Sequence, residues 1–241
     1  MKQSIFTIES NQKIAKSVYK MVLKGDTEGI ACGQFINIQI DGLYLRRPIS
    51  VYDYNETAVT IIYKVVGAGT EKMAEMEKGL KLDILTGLGN GYDVSKSGEF
   101  PLLVGGGVGV PPLYNLCKKL IEKGAKPSVI LGFNTKEEVF CKEDFEALGV
   151  KTTVTTVDGS CGVKGFVTDA LEDGYTYFYT CGPEPMLKAL YNATNTSGQF
   201  SFEERMGCGF GACMGCSCKS KYGNKRICKD GPVLEKEEII W

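Results

Sequence analysis

The chain has 241 residues, 43% apolar residues and a formal net charge of −1, a globular composition without the basic surface expected for nucleic acids or anionic membranes. It contains ten cysteines and no histidine, which excludes imidazole catalysis, Ser-His-Asp triads, zinc sites built on histidine and Rieske centres. The stretch MKQSIFTIESNQ lacks an apolar signal region, and no apolar run reaches the ~20 residues of a spanning helix. The sequence predicts a cytoplasmic protein.

Residues 1–98 have the pattern of a small antiparallel β-barrel. The segments SVYKMVL, QFINIQI, AVTIIYKVV and LKLDIL are rich in β-branched and aromatic residues, and glycines separate them. In the second segment Ile36, Ile38 and Ile40 alternate with polar Asn37 and Gln39, the period expected for a strand with one buried face. One helix is predicted in TEKMAEMEKG, with Thr70 as its N-cap and Gly79 just beyond its end.

The same region carries a candidate anion site. In RRPIS, Arg47 precedes Ser50 by three residues, and a guanidinium is well suited to a pyrophosphate. The VVGAGT turn leads into the predicted helix, so the amides of Gly69 and Thr70 are expected to face outward at its positive end. Taken alone, Arg47 is more often a solvated charge and Gly-Thr a simple cap. Because both occur in one barrel that precedes a nucleotide-binding fold, together they indicate an anion site.

Residues 99–200 alternate strands with helices, which predicts a Rossmann-like parallel sheet with helices on both faces. FPLLV, SVILGF, VKTTVTTV and YTYFYTCG are the expected strands. PPLYNLCKKLIEKG is the clearest helix, and its apolar face consists of Leu113, Leu116, Cys117, Leu120 and Ile121. Further helical segments are expected around residues 137–148, 167–171 and 185–192.

Two loops of this domain are candidates for binding a nicotinamide nucleotide. VGGGVGVPPL follows a strand and opens a helix, the context in which a glycine-rich turn binds phosphate, although it departs from G-x-G-x-x-G. TCGPEPM ends a later strand, so Cys181 could touch a nicotinamide or merely fill space. The candidate contacts are Gly105, Gly106, Gly107, Gly109, Cys181, Gly182 and Pro183. GFNTKEE lacks an arginine for a 2′-phosphate, which favours NAD over NADP.

Residues 201–241 form a third, cysteine-rich segment that is too small to hold a core alone. Cys208, Cys213, Cys216 and Cys228 follow a C-x4-C-x2-C…C spacing, the plant-type arrangement for a [2Fe–2S] cluster. Cys218 is an extra thiol, since it lies too close to Cys216 to share the cluster. A structural zinc knuckle is the alternative, but zinc ligands usually come as paired C-x2–4-C motifs. The cysteines at 32, 117, 141 and 161 are interpreted as small apolar residues.

A cluster beside a nucleotide fold predicts a flavin between them. The cluster transfers single electrons and a nicotinamide exchanges hydride, whereas a flavin tolerates both one- and two-electron steps.

The segments RRPIS, GAGT, GGGVGVPPL and CGPEPM, in this order, resemble those of the ferredoxin–NADP reductase superfamily. That superfamily has an FAD-binding antiparallel barrel followed by a nicotinamide domain. With the segment EERMGCGFGACMGCSC…CKDGPV, the chain most resembles the electron-transfer subunits of NAD-dependent (type B) dihydroorotate dehydrogenases. The resemblance spans nearly the whole chain and implies that Cys208, Cys213, Cys216 and Cys228 ligate the cluster. It also implies a set of FAD contacts, namely Arg47, Pro48, Ile49, Ser50, Ile62, Tyr63, Lys64, Gly69 and Thr70.

The resemblance further implies a separate FMN-containing catalytic subunit, assembled with this chain as a heterotetramer of two plus two. Electrons from dihydroorotate would pass from FMN through the cluster and FAD to NAD+, in pyrimidine biosynthesis. The FAD subunit of NADH-dependent ferredoxin:NADP oxidoreductase (sulfide dehydrogenase) is a similar alternative, but an aspartate stands there at the position of Cys208. A zinc-stabilised nucleotide-binding scaffold is the alternative of another class. Five basic residues near the cluster segment form either a docking face or a solvated charge run, namely Lys219, Lys221, Lys225, Arg226 and Lys229.

Overall fold

The computed structural model describes residues 1–241 and contains a closed six-stranded barrel, a seven-stranded sheet and a two-stranded hairpin. The barrel order is β1-β2-β5-β4-β3-β6, with every neighbouring pair antiparallel. Its strands are β1 (Lys2–Ala15), β2 (Val18–Lys24), β3 (Phe35–Ile38), β4 (Arg47–Tyr54), β5 (Ala58–Lys64) and β6 (Lys81–Leu88). The predicted antiparallel barrel is confirmed.

The helix inside the barrel region begins earlier than predicted. Helix α1 (Ala68–Ala74) has Gly67 as its N-cap, so the predicted N-cap, Thr70, lies in the first turn. The Thr70 hydroxyl accepts hydrogen bonds from the amides of Val66 (2.9 Å) and Gly67 (3.2 Å). The helix also stops at Ala74 instead of continuing toward Gly79, because Gly79 returns to β1 by donating its amide to the Ile8 carbonyl at 2.8 Å.

The second sheet has the order β10-β9-β8-β7-β11-β12-β15. Its first six strands run parallel, as predicted, whereas β15 is antiparallel to β12. The strands are β7 (Pro101–Gly106), β8 (Ser128–Phe133), β9 (Lys151–Thr156), β10 (Val163–Lys164), β11 (Tyr177–Cys181), β12 (Gly198–Ser201) and β15 (Val233–Glu235), and the helices are α2 (Pro112–Glu122), α3 (Lys142–Ala147) and α4 (Glu184–Ala193). On α2 the predicted apolar face is buried except for Ile121, which is exposed at the rim.

The cysteine segment is joined to the second sheet. Its hairpin consists of β13 (Ser217–Ser220) and β14 (Gly223–Arg226), and the following strand β15 completes the sheet edge beside β12. Val233 and Leu234 are each 3% exposed. The segment therefore obtains its core from the nucleotide domain, which explains how so short a piece can be ordered. The domain boundaries after residues 98 and 200 stay predictions.

Three apolar cores place the cysteine segment between the other two parts. One fills the barrel, and a second lies between the barrel, α2 and one face of the sheet. The third joins α4 and the other sheet face to Cys216, Ile227 and Cys228, and it also includes Phe35 from β3. The cluster segment thus contacts both the barrel wall and the nucleotide sheet.

The barrel and the nucleotide domain are also joined by polar contacts. The Tyr52 and Tyr114 rings stack with centroids 4.5 Å apart, and the Tyr52 hydroxyl donates to the Asp144 carboxylate at 2.7 Å. Asp53 accepts hydrogen bonds from Asn115 at 2.6 Å and from Lys118 at 2.8 Å. These contacts fix how the two domains face each other.

None of the helices has the length and apolar character of a membrane-spanning segment.

Candidate functional site

Arg47 and Gly69, separated by twenty-one residues in sequence, meet on the barrel wall. A Cβ placed on Gly69 would overlap the Arg47 Nε and lie 2.7 Å from the guanidinium carbon. Arg47 also donates to the Leu45 carbonyl at 2.6 Å. The absence of a side chain at Gly69 leaves room for the guanidinium to rest on the turn, and the result is a cationic cradle with the chemistry to hold a pyrophosphate. These residues fit the phosphate end of FAD.

The other predicted flavin contacts lie on β4, β5 and α1. Pro48 pairs with Asn37 and Ser50 pairs with Phe35 across the β3–β4 ladder, which places Pro48 and Ser50 on the outer face of the barrel. Ile49 pairs with Ile36 and lies against the barrel core. The Thr70 hydroxyl donates to the Gly67 carbonyl at 2.9 Å, so this side chain shapes the turn. These contacts with FAD stay predictions.

On β5 the side chains are engaged elsewhere. Tyr63 is buried in the barrel, where its hydroxyl donates to the Asn11 side chain at 3.0 Å. Ile62 is buried between the domains, and Lys64 pairs with Glu138 at 3.2 Å. The backbone is therefore the part of residues 62–64 best placed to meet a flavin.

The two predicted nicotinamide loops meet at the carboxyl edge of the second sheet. Strands β7 and β11 are neighbours, with Gly105 opposite Cys181. A Cβ on Gly109 would overlap the Cys181 carbonyl and lie 2.6 Å from the Gly182 Cα. Gly106 faces Met186 and Pro183 in the same way, at 2.5 Å and 3.2 Å. Because ligands of open α/β sheets bind at this edge, the geometry fits a nucleotide site.

Cys181 lies at the end of β11 and is half-buried. Burial raises the pKa of its thiol to about 12, although a hydrogen bond with Ser201 opposes the shift. The group is therefore protonated at neutral pH, which suits a lining residue better than a nucleophile.

The four predicted cluster ligands are arranged as two pairs. Cys208 and Cys213 lie side by side, as do Cys216 and Cys228, and a backbone amide–sulfur hydrogen bond joins each pair. The amides of Ala212 and Cys213 donate to the Cys208 sulfur at 3.2 Å and 3.4 Å. The Cys228 amide donates to the Cys216 sulfur at 3.4 Å. A [2Fe–2S] cluster needs four thiolates, two for each iron, and the two cysteine pairs match this donor set.

The thiol environments differ between the pairs. Burial opposes ionisation of Cys208, but backbone amides and Cys213 outweigh it and lower the pKa to about 6. Burial and the neighbouring Cys216 raise the pKa of Cys228 to about 12. Four thiols with the spacing C-x4-C-x2-C…C fit a two-iron cluster better than a zinc knuckle, whose ligands usually come as paired C-x2–4-C motifs.

Two further residues hold the cysteine loop. Arg226 was predicted only as part of a docking face or a solvated charge run, and no role was predicted for Asn37. Arg226 donates to the Gly211 carbonyl at 3.0 Å and pairs with Asp230 at 2.9 Å. Asn37 on β3 donates to the Cys208 carbonyl at 3.3 Å. The strand period predicted an exposed Asn37, and nothing local to QFINIQI signals the distant loop that covers it.

The remaining candidate residues are distributed as follows. Cys32, Cys117 and Cys141 are buried, as expected for small apolar residues, and Cys161 is half-buried. Cys218 is half-buried on the hairpin. Among the basic residues, Arg226 pairs with Asp230, and Lys225 pairs with Glu238 at 2.9 Å.

Comparisons with known proteins agree with this geometry. Residues 203–240 match the family described as "Iron-sulfur cluster binding domain of dihydroorotate dehydrogenase B", and residues 103–192 match "Oxidoreductase NAD-binding domain". The chain is 49% identical to a Fusobacterium nucleatum protein named "Dihydroorotate dehydrogenase B (NAD(+)), electron transfer subunit", over 99% of both chains. A Bacillus pumilus protein of the same name is 44% identical, over 99% of this chain and 98% of that one.

A solved structure is also similar over the whole fold. The structure of a NADH-dependent reduced ferredoxin-NADP oxidoreductase, described for flavin-based electron bifurcation, has a TM-score of 0.90 with 29% identity, over 99% of this chain and 90% of that one. Phthalate dioxygenase reductase, at 15% identity and a TM-score of 0.66, shares the fold.

Proposed function

The chain belongs to the family of dihydroorotate dehydrogenase B (NAD(+)) electron transfer subunits, and we propose from this that it passes electrons between a catalytic partner subunit and NAD+ in pyrimidine biosynthesis. It uses FAD and a [2Fe–2S] cluster, with NAD as a diffusible substrate. When bound, the cluster supplies one-electron transfer and FAD links it to hydride exchange. The observation that carries the proposal is the contact between the cysteine loop and the barrel face that bears Pro48.

Each part of the chain has a distinct task in this function. The cysteine pairs bind the cluster, and the amides around Cys208 compensate its charge. The cradle of Arg47 and Gly69 binds the FAD pyrophosphate. Gly109 and the Cys181–Gly182 backbone shape the nucleotide site. The stacked rings of Tyr52 and Tyr114 keep the barrel and the nucleotide domain in a fixed orientation.

The proposal extends to the assembly. The partner is a subunit that contains FMN and oxidises dihydroorotate, and two copies of each chain form a heterotetramer. Electrons run from FMN through the cluster and FAD to NAD+. The location is the cytoplasm, where ten cysteines without disulfide bonds are expected to stay reduced.

A second candidate is an FAD and [2Fe–2S] subunit of a NADH-dependent ferredoxin:NADP oxidoreductase. The TM-score of 0.90 with such a structure favours it. Cys208, which accepts a hydrogen bond from the Cys213 amide in this chain, favours the dihydroorotate system, because an aspartate is expected at that position in the alternative.

Visible absorption and reconstitution test the function. The purified chain should show flavin bands and a broad cluster absorption that dithionite bleaches, and it should co-purify with an FMN protein. Dihydroorotate should then reduce NAD+ only when both chains are present. A colourless, zinc-containing chain would indicate a scaffold, and reduction of NADP+ by ferredoxin without dihydroorotate activity would favour the second candidate.

Arg47→Ala is expected to weaken FAD binding. A guanidinium bound to a pyrophosphate contributes about 1.5–3 kcal/mol, so the affinity should fall roughly tenfold to a hundredfold. The measurement is flavin release followed by fluorescence, with cluster absorption as an internal reference.

The matched control is the preceding residue. Arg46 pairs with Asp83 at 2.8 Å and donates to the Asp83 carbonyl at 2.9 Å, so Arg46→Ala removes an equal charge without touching Gly69. Its FAD affinity should be close to wild type. Equal losses in both variants would show that net charge, and not the cradle, holds the cofactor.

A further inference from the structure

Asn37 is a polar side chain buried between the barrel and the cysteine loop. It is 1% exposed, its amide nitrogen donates to the Cys208 carbonyl at 3.3 Å, and its side-chain oxygen has no hydrogen-bond partner. An unpaired buried acceptor destabilises a fold. An apolar residue would therefore serve better here if the position mattered only for stability.

The strand register places Asn37 beside the predicted flavin contacts. Asn37 is opposite Pro48 in the β3–β4 ladder, and directly opposed residues project from the same face of a sheet. Its neighbours Ile36 and Ile38 point into the barrel core. Asn37 therefore projects outward, from the face that carries Pro48 to the loop that carries Cys208.

The loop is shaped to receive this side chain. Gly209 has a φ of +79°, and a Cβ at that position would overlap the Asn37 amide nitrogen. The turn after Cys208 thus approaches β3 as closely as a backbone without a side chain allows. The amide contact and the glycine together define one position of the turn.

We propose that Asn37 is a positioning residue that fixes the Cys208–Gly209 turn against the flavin-bearing wall and thereby sets the reduction potential of the cluster. The inference rests on the proposed function in taking Cys208 as a cluster ligand. The Ala212 and Cys213 amides donate to the Cys208 sulfur, and such bonds stabilise the extra negative charge of a reduced cluster. A loosened turn weakens them, so loss of the Asn37 amide lowers the potential.

The test compares Asn37→Leu with wild type. Leucine has a similar size and removes both the donor and the unpaired acceptor. In an EPR-monitored titration, the ratio of reduced to oxidised cluster at a fixed ambient potential should fall about tenfold, which is about 59 mV for a one-electron centre. In the chain without iron, hydrogen exchange of residues 207–213 should accelerate about fivefold, as expected for one lost hydrogen bond.

Asn90→Leu is the matched control. Asn90 also bridges the barrel region to the cysteine segment, but its amide donates to the Val233 and Asp230 carbonyls at 3.0 Å and 3.2 Å. It should lose stability with the potential unchanged. Asn37→Ala removes the same donor without adding volume near Gly209, and it is the second variant if leucine prevents folding.

The outcomes separate this inference from the proposed function. A lower potential and faster exchange in the Asn37 variants, but not in Asn90→Leu, support the positioning role. Wild-type potential and exchange in the Asn37 variants, or equal shifts in Asn90→Leu, overturn it. If the wild-type chain binds no [2Fe–2S] cluster, the proposed function and the assigned potential both fail, and hydrogen exchange alone then decides whether Asn37 holds the turn.

Discussion

Cys213→Ser is expected to abolish the cluster and electron exchange with the partner while leaving FAD-dependent diaphorase activity with NADH. Cys213 is the exposed member of its pair, and its sulfur lies near the Gly207 and Gly215 backbone. Serine replaces a soft thiolate by a poor ligand for a cluster. Loss of a group that only hydrogen-bonds to a metal ligand costs about tenfold to a hundredfold, so loss of a ligand should lower the partner-dependent rate at least about a hundredfold.

The exposed position makes Cys213 the most informative of the four predicted ligands to change. Cys216 and Cys228 are each 2% exposed and belong to the core shared with the nucleotide sheet, so their replacement would also disturb folding. β15 pairs with β12 through backbone hydrogen bonds that do not involve the cysteine side chains, so we expect the barrel and the nucleotide site to stay assembled in this variant. Diaphorase activity with an artificial acceptor should therefore remain within about twofold of wild type, since changes at separated sites act independently.

Cys218→Ser is the control for this experiment. Cys218 lies on β13, two residues beyond Cys216, and is not part of either cysteine pair. Its replacement should leave the visible and EPR spectra unchanged. Normal partner-dependent electron transfer in Cys213→Ser would mean that the assigned route is wrong, and loss of the cluster in Cys218→Ser would mean that the ligand set is wrong.

The features predicted correctly from the sequence are those that local pattern determines. Strand period indicated the barrel, alternation of strands and helices indicated the parallel sheet, and thiol spacing indicated the cluster. The start of α1 was wrong because the Thr70 hydroxyl accepts from residues before the helix, as a residue in the first turn can. Nothing in PVLEKEE shows that β15 pairs with β12, since that contact depends on tertiary structure.

In the candidate site, too, local patterns predicted the residue types but not the contacts between distant segments. Arg47 and Gly69 were predicted as parts of one anion site, but their direct contact follows from the barrel closing β4 against the turn before α1. Asn37 was expected on an exposed face, because a period of two cannot reveal that another domain covers that face. Sequence patterns therefore miss the residues that join domains. Here such residues lie between the barrel face that bears Pro48 and the cysteine loop.

Gly109→Ala is expected to lower kcat/KM for NADH about a hundredfold while FAD and the cluster stay bound. The added methyl group would overlap the Cys181 carbonyl, with the Gly182 Cα at 2.6 Å. These are backbone atoms at the end of β11, held in the sheet on both sides, so the turn at Gly109 must move instead. Displacement of a binding loop by about 1 Å can cost a hundredfold in rate, and steady-state kinetics with an artificial acceptor measures it.

Gly124→Ala controls for a general loss of stability. Gly124 follows α2 with a φ of +84° and open space around it, so alanine there adds about 1–2 kcal/mol of backbone strain. Overpacking at Gly109 costs a similar 1–3 kcal/mol. The two variants should therefore melt at similar temperatures, yet only Gly109→Ala should lose NADH turnover. If both keep wild-type kinetics, the nicotinamide nucleotide does not bind at the edge formed by Gly109 and Cys181, because a shift of that turn could not leave hydride transfer unchanged.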